Sequence, residues 1–123
     1  MPNRYSIVGT QFTGIPEGFI AAIAPGADVM LVREPTNQYD PNAVAVWIDG
    51  KRIGYVPKKQ NVALAKRIDA SGQDWAEPDR PTHGSLATDG AMTVGTERTI
   101  YRAIPAKFVR SPNSGFPMVE VPE

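Results

Sequence analysis

The sequence predicts a small, mainly β domain with one or two short helices, and three observations support this fold class. The chain has 123 residues, the usual length of a single domain. Its 12 prolines and 11 glycines interrupt it too often for a bundle of long helices. Between these breaks lie short runs of β-branched and aromatic residues, which are typical of strands joined by turns.

The first part of the chain is predicted to form two strands with a break between them. Tyr5–Phe12 is β-branched at its centre and ends at the glycine and proline of residues 13–16, so a strand is expected. Glu17–Ala24 has helical apolar spacing but covers only about two turns, so it is expected to be a short helix or a loop. Asp28–Arg33 is an apolar run with charged ends, which predicts a buried strand.

The centre of the chain is predicted to form a β-hairpin followed by a helix. Ala43–Ile48 and Lys51–Val56 have the composition of strands, and the Asp-Gly pair between them is typical of a two-residue hairpin turn. Pro57 suits the first turn of a helix, because its missing N–H is not needed there. An apolar stripe then continues to Ile68 and ends before a Ser-Gly pair.

The remaining sequence predicts a loop and two closing strands. Residues 71–90 have no sustained apolar period and are expected to cross the surface as a long loop. Met92–Val94 and Thr99–Val109 are predicted to be the closing strands. Pro105 restricts part of the second strand to a sheet edge or a bulge.

These elements predict one domain over residues 1–110, followed by an extended, proline-containing tail over residues 111–123. About five or six short strands, with a helix between the fourth and the fifth, suit a small OB-like or SH3-like β-barrel. Closing the sheet into a barrel leaves no unprotected strand edge.

The composition excludes several kinds of functional site. The chain has no cysteine and one histidine, His83, which excludes disulfides, thiolate metal sites and sites with two imidazoles. It contains no phosphate-binding loop and no serine or cysteine elbow, so neither catalysis nor a bound cofactor is expected. No apolar run approaches the roughly 20 residues that cross a membrane, and the first residues lack a secretory signal. A cytoplasmic location without a membrane partner is therefore expected.

The formal net charge is zero, but the charges fall in blocks along the chain. Residues 51–67 contain six basic residues and no acid, residues 69–97 contain six acids and one arginine, and residues 98–110 contain four basic residues. The basic blocks either form a surface that attracts phosphates or are a solvated face paired with the acidic block. Charge alone leaves both interpretations open.

A motif in the centre of the chain is more specific than the charge pattern. It comprises VREPTNQYDPNAVAV at residues 32–46, Gly50, and IGYVPK at residues 53–58. This motif resembles that of the HIRAN domain, a small module found alone in bacterial and phage proteins and at the N-terminus of eukaryotic fork-remodelling ATPases. The resemblance is close over residues 5–70, and the apolar run at residues 7–12 is similar to the first strand of the family.

The resemblance implies an OB-type barrel that captures single-stranded DNA at a free 3′-hydroxyl end, in DNA repair or processing. In the roles it implies, Tyr39 stacks on the terminal base and Asp40 accepts a hydrogen bond from the 3′-hydroxyl. Asn37 supports the loop or contacts the DNA backbone. Stacking a base on an aromatic ring contributes about 1–3 kcal/mol and tolerates any base. A carboxylate accepts a hydroxyl but repels a phosphate, so Asp40 would favour an end over an internal nucleotide.

The resemblance also implies DNA contacts outside the loop. Phe12 is at the position of a second aromatic ring, Tyr55 at that of a polar ring near the DNA, and Lys58 at that of a phosphate contact. Lys59 is a further candidate, because two lysines at a helix start oppose the helix dipole, which favours a functional reason for them.

One position departs from the family pattern. Gln11 stands where DNA-binding relatives have an arginine, so it offers a neutral contact instead of a charged one. Arg33 and Arg52 are candidates to replace the missing charge.

The same residues have structural interpretations. Asn37, Asp40 and Asn42 are typical of side chains that fix a turn, and Tyr39 and Phe12 of rings packed in a core. The alternative function is a protein-interaction barrel without nucleic-acid binding, and a hydrolase would need a metal held by carboxylates. The DNA interpretation implies single-stranded DNA as partner, with a helicase or nuclease as a candidate protein partner.

Overall fold

A computed structural model describes residues 3–77 and 99–122, and in this part of the chain it contains seven β-strands and two α-helices. The strands are β1 (Arg4–Ser6), β2 (Asp28–Glu34), β3 (Ala43–Ile48), β4 (Lys51–Tyr55), β5 (Asp74–Ala76), β6 (Ile100–Arg110) and β7 (Pro117–Glu120). The helices are α1 (Glu17–Ala21) and α2 (Val62–Ala70), and 3₁₀ turns cover Thr10–Phe12 and Lys58–Gln60.

The strands form a curled antiparallel sheet in the order β1-β7-β6-β2-β3-β4, with β5 paired to β6. The sheet is a half-barrel, and its two edges meet at a bridge between Val8, just after β1, and Tyr55 at the end of β4. The N–H of each residue donates to the carbonyl of the other, with N···O distances of 2.8 and 2.9 Å. The mainly β fold class predicted from the sequence is confirmed, and the described residues contain more strands than expected.

Gly54 allows the two edges to approach each other. It is buried on β4 beside the bridge, and a Cβ atom at this position would lie 2.7 Å from Ile7 Cγ2 and 2.7 Å from the carbonyl oxygen of Val8. Any side chain here would therefore collide with the segment that follows β1. The glycine of the Ile-Gly-Tyr sequence is required by this packing.

The main hydrophobic core lies on the inner face of the half-barrel, where α2 covers it. Leu64, Ala65 and Ile68 of α2 are buried in this core, together with Phe108 of β6. Every residue of β3 is buried, because alternate residues face the main core and a second cluster. The buried members of this second cluster are Val32, Ala45, Trp47 and Ala103.

The central hairpin has the predicted form. β3 has the predicted bounds, and β4 ends one residue earlier than expected. Asp49 and Gly50 between them have φ values of 50° and 75°, and the type I′ two-residue hairpin turn requires positive φ at both central residues. β2 lies where the apolar run with charged ends predicts it.

Other boundaries shift for identifiable reasons. The predicted strand Tyr5–Phe12 is interrupted because Gly9 adopts a φ of 74° and directs the chain into a 3₁₀ turn. The Glu17–Ala24 segment forms the short helix α1. Pro57 precedes a 3₁₀ turn, so α2 begins at Val62 instead of at the proline.

The C-terminal segment differs from the prediction. Residues 111–123, expected to be an extended tail, contribute β7, which lies between β1 and β6 in the sheet. Val119 and Val121 are buried at strand spacing, and neighbouring prolines obscure this short period in the sequence. The predicted strand Met92–Val94 lies outside the described residues, as does most of the predicted loop 71–90, in which β5 is described.

Pro105 lies within β6, although this strand has partners on both sides. The N–H of Ala103 donates to the carbonyl of Gln73 on the β5 side, and backbone direction alternates along a strand, so the nitrogen of Pro105 faces the same side. On that side β5 pairs with residues 100–102 and β7 with residues 107–110. Pro105 is therefore placed between two partner strands, where no ladder hydrogen bond is lost.

Candidate nucleic-acid interface

The loop between β2 and β3, residues 35–42, is shaped by its own side chains. The Oδ1 atom of Asn37 accepts the backbone N–H of Tyr39 at 2.8 Å and that of Asp40 at 3.1 Å. The Oδ1 atom of Asp40 accepts the N–H of Asn42 at 2.9 Å. These are turns fixed by Asn and Asp side chains, so the structural interpretation of Asn37 and Asp40 holds alongside any functional one.

Arg33 anchors this loop from beneath and is not available to a ligand. Its side chain is 7% exposed and forms an ion pair with Asp69 of α2, with an Nε···Oδ1 distance of 2.9 Å. Its Nη1 donates to the carbonyls of Pro41 at 3.1 Å and Ala43 at 3.0 Å. The predicted role of Arg33 as a DNA contact is therefore replaced by a structural one, because β2 directs this side chain towards α2.

Asn61, which no sequence motif marks as a site residue, orients the carboxylate of Asp40. Its Nδ2 donates to Asp40 Oδ2 at 2.7 Å, and the residue is 1% exposed. Each carboxylate oxygen of Asp40 thus accepts one hydrogen bond, Oδ1 from the loop and Oδ2 from the start of α2. An Asn just before a helix is expected to cap that helix, but the Asn61 side chain makes no cap hydrogen bond. The sequence signal at this position therefore predicts a different role from the contact with Asp40.

A groove of about 580 Å³ lies beside this loop. Five predicted site residues line it, namely Asn37, Tyr39, Asp40, Tyr55 and Lys58. Val8, Gly9 and Thr13 from the segment after β1 also line the groove. The half-barrel therefore brings the loop, β4 and the N-terminal segment together around one cavity.

The ring of Tyr39 is free for contact. The residue is 81% exposed, which rules out the interpretation of Tyr39 as a core ring. Its backbone is held by Asn37, so the ring projects from a fixed loop. Such a ring is available for stacking.

Glu34, at the end of β2, connects three groove residues. Its Oε1 accepts the phenol of Tyr55 at 2.9 Å and the Nδ2 of Asn37 at 3.1 Å, and its Oε2 lies 3.6 Å from Nη1 of Arg52. Burial, followed by the hydrogen bond and the charge of Glu34, raises the pKa of Tyr55 to about 12. Tyr55 therefore stays a neutral hydrogen-bond donor at physiological pH.

The structure places the remaining predicted contacts less centrally. Gln11 and Lys59 are exposed but are not among the groove-lining residues. The side chain of Phe12 lies outside the described residues. Arg52, considered only as a candidate to replace a missing charge, lines the groove.

Most other described cations are engaged away from the groove. Arg4 pairs with Glu120, Arg102 with Asp74 and Lys107 with Asp28, while Arg67 donates to the carbonyl of Pro122 and Arg110 to the carbonyls of Ile20, Ala21 and Ile23. Among the described residues that line the groove, Arg52 and Lys58 are the cations. Within the part of the chain that the structure describes, positive charge in the groove is therefore limited to these two positions.

Residues 3–77 and 99–122 contain no group of three or more His, Asp or Glu side chains placed to hold a metal ion. In the same ranges no helix is long and apolar enough to cross a membrane. His83 lies outside the described residues.

Comparison with known proteins places the chain in a family. A search among curated proteins finds no significant match. A crystal structure of a protein from Lactobacillus plantarum, a structural-genomics target, is similar with a TM-score of 0.53 and 24% identity, over 82% of this chain and 91% of that chain. This likeness supports the fold. A model of the HIRAN domain, a family of nucleic-acid-binding domains, matches residues 3–77, the range that holds the loop and the described groove. The match covers more than half of the sequence, and the chain belongs to the HIRAN domain family.

Proposed function

We propose that this protein binds single-stranded DNA at a free 3′-hydroxyl end and serves as a recognition module in DNA repair or processing. The observation that carries the proposal is the pairing of an exposed aromatic ring, Tyr39, with the oriented carboxylate of Asp40 in one groove. The protein recognises the end in this proposal and performs no chemistry on it.

The ring and the carboxylate have complementary tasks. A terminal base stacks on Tyr39, which holds any base because every base has an aromatic face. The 3′-hydroxyl of the same nucleotide donates to Asp40. Each oxygen of that carboxylate accepts one hydrogen bond from the protein and has lone-pair capacity left for another donor.

Discrimination against other nucleotides comes from charge. An internal nucleotide has a phosphodiester in place of the 3′-hydroxyl, so it brings a negative charge against Asp40. Placing like charges together at an interface costs several kcal/mol. The groove volume of about 580 Å³ is within the range of small-ligand pockets, which suits one end of a strand better than a long internal segment.

Fluorescence anisotropy with two short oligonucleotides tests the proposal. Oligonucleotides of the same sequence, one with a 3′-hydroxyl and one with a 3′-phosphate, are compared, and we expect the phosphate to weaken binding at least about tenfold. A 5′-phosphate serves as a control for added charge and is expected to have little effect. Equal affinity for the two 3′ ends would refute end capture.

A variant pair identifies the discriminating residue. Asp40→Asn removes the negative charge, so the difference between the two 3′ ends is expected to shrink. Asp28→Asn is the matched control, because Asp28 is exposed and pairs with Lys107 away from the groove. The alternative function, protein interaction without nucleic acid, predicts no salt-dependent DNA binding. Under the proposed function the protein neutralises phosphates, so its affinity for DNA should fall as the ionic strength rises.

A further inference from the structure

We infer that Arg52 binds a backbone phosphate of the captured strand and that Glu34 competes with this phosphate for the Arg52 guanidinium. The inference rests on the proposed function, because it assigns the residues that set the affinity of the same groove. It adds a regulating carboxylate that does not itself line the cavity.

Arg52 has the position and the freedom to contact a phosphate. Its side chain is 42% exposed and lines the groove on β4. Its guanidinium carbon lies 5.5 Å from the centre of the Tyr55 ring. Arginine commonly stacks on aromatic faces in this way while its planar fork stays available for two parallel hydrogen bonds to phosphate.

Glu34 is held firmly, and its contact with Arg52 is the loosest that it makes. The Glu34 side chain is 17% exposed, and its Oε1 receives hydrogen bonds at 2.9 Å from Tyr55 and 3.1 Å from Asn37. The Oε2 to Arg52 Nη1 distance is 3.6 Å, beyond the usual length of a hydrogen bond. Arg52 is therefore the weakly held partner, and its donors can turn to an incoming phosphate while Glu34 stays in place.

The two carboxylates near the groove then have different effects. Asp40 faces the end of the strand, whereas Glu34 lowers the positive potential at Arg52 before DNA arrives. A negative charge this close to a cation weakens the attraction of that cation for a second anion. Removing the Glu34 charge should strengthen DNA binding, and only through Arg52.

A double-mutant cycle tests this coupling. Glu34→Gln keeps an oxygen that can accept from Tyr55 and Asn37 but removes the charge. We expect Glu34→Gln to tighten binding of a 3′-hydroxyl oligonucleotide about 1.5- to 5-fold, the usual range for a partly exposed charge contact. We expect Arg52→Gln to weaken binding about 5- to 20-fold and to reduce the slope of log K against log salt by about 0.7, the value for one phosphate of a single strand. In the double variant the gain from Glu34→Gln should vanish.

The controls separate this inference from the proposed function and from folding. Arg67→Gln removes an exposed arginine that bonds the Pro122 carbonyl outside the groove, and it should change affinity less than twofold. Glu34→Gln that weakens binding equally with and without Arg52 would show a purely structural role and overturn the inference. If Glu34→Gln does not fold, an unchanged salt slope in Arg52→Gln overturns it instead. If the wild-type protein binds 3′ ends and Arg52→Gln has the same affinity and salt slope, this inference alone is refuted. If the wild-type protein binds no DNA, the inference and the proposed function are both refuted.

Discussion

Gly54→Ala tests whether the close packing of the N-terminal segment on β4 supports both the fold and the groove. The new Cβ would lie 2.7 Å from Ile7 Cγ2 and from the Val8 carbonyl oxygen, and 3.3 Å from Thr10 Cγ2. Carbon contacts are most favourable at about 3.5–4.0 Å, so the segment must move by roughly 1 Å. Overpacking of this kind typically costs about 1–3 kcal/mol. For a domain of this size the expected fall in Tm is about 5–15 °C.

The measurement is thermal and guanidinium unfolding, with Gly18→Ala as the matched control. Gly18 lies in α1, and a Cβ there would meet no atom within 4 Å, so this variant should be neutral or more stable by up to about 1 kcal/mol. Because Val8 lines the groove, Gly54→Ala should also weaken DNA binding under conditions in which the variant is folded. A Gly54→Ala protein with the Tm of the wild type would refute the reasoning from close contact.

Two further predictions concern the tyrosines of the groove. Tyr39→Ala is expected to change the free energy of unfolding by less than about 0.5 kcal/mol, because Tyr39 is 81% exposed. The same variant should weaken single-stranded DNA binding by about 5- to 150-fold, which corresponds to 1–3 kcal/mol of stacking, while Tyr39→Phe keeps most of the affinity in the same anisotropy assay. The folded state raises the pKa of Tyr55 from 10.0 to about 12, so the stability that the neutral phenol contributes is complete below pH 10 and is lost as the pH rises towards 12. An ultraviolet titration should show a tyrosine ionisation near pH 12, and persistence of that step in Tyr55→Phe would contradict the assignment.

The parts of the fold that the sequence predicts are those set by neighbouring residues. The hairpin depends on the Asp49-Gly50 turn and on β-branched runs beside it, all of which are local. β7 depends instead on pairing with β1 across almost the whole chain, as in the Arg4 and Glu120 partners. With four residues, β7 is too short and too close to prolines to show a strand pattern in the sequence. Its pairing is seen in the assembled sheet.

The candidate site divides in the same way. The loop residues Tyr39 and Asp40 follow from the motif, because their positions are fixed by turns within the loop. Arg33 is a cation next to this loop in the sequence, so the sequence predicts a phosphate contact there. Its actual role depends on α2, which brings Asp69 beneath the loop. Glu34 could not be assigned from the sequence either, since its partners Tyr55 and Arg52 come from β4. Local chemistry thus predicts which residues can bind, and the tertiary fold decides which of them are free to do so.

The zero net charge acquires a physical meaning under the proposed function. Several cations are paired or bonded to carbonyls elsewhere in the described residues, and Arg52 and Lys58 are the cations among the described residues that line the groove with Asp40. Two neutralised phosphates of a single strand give a salt slope of only about −1.4, so phosphate attraction alone cannot hold DNA tightly. The larger share of affinity must then come from stacking on Tyr39 and from the hydroxyl bond to Asp40, neither of which requires a phosphate. A groove of this composition favours a strand end over an internal segment. The end offers a 3′-hydroxyl for Asp40 to accept, whereas an internal nucleotide has a phosphodiester at that place.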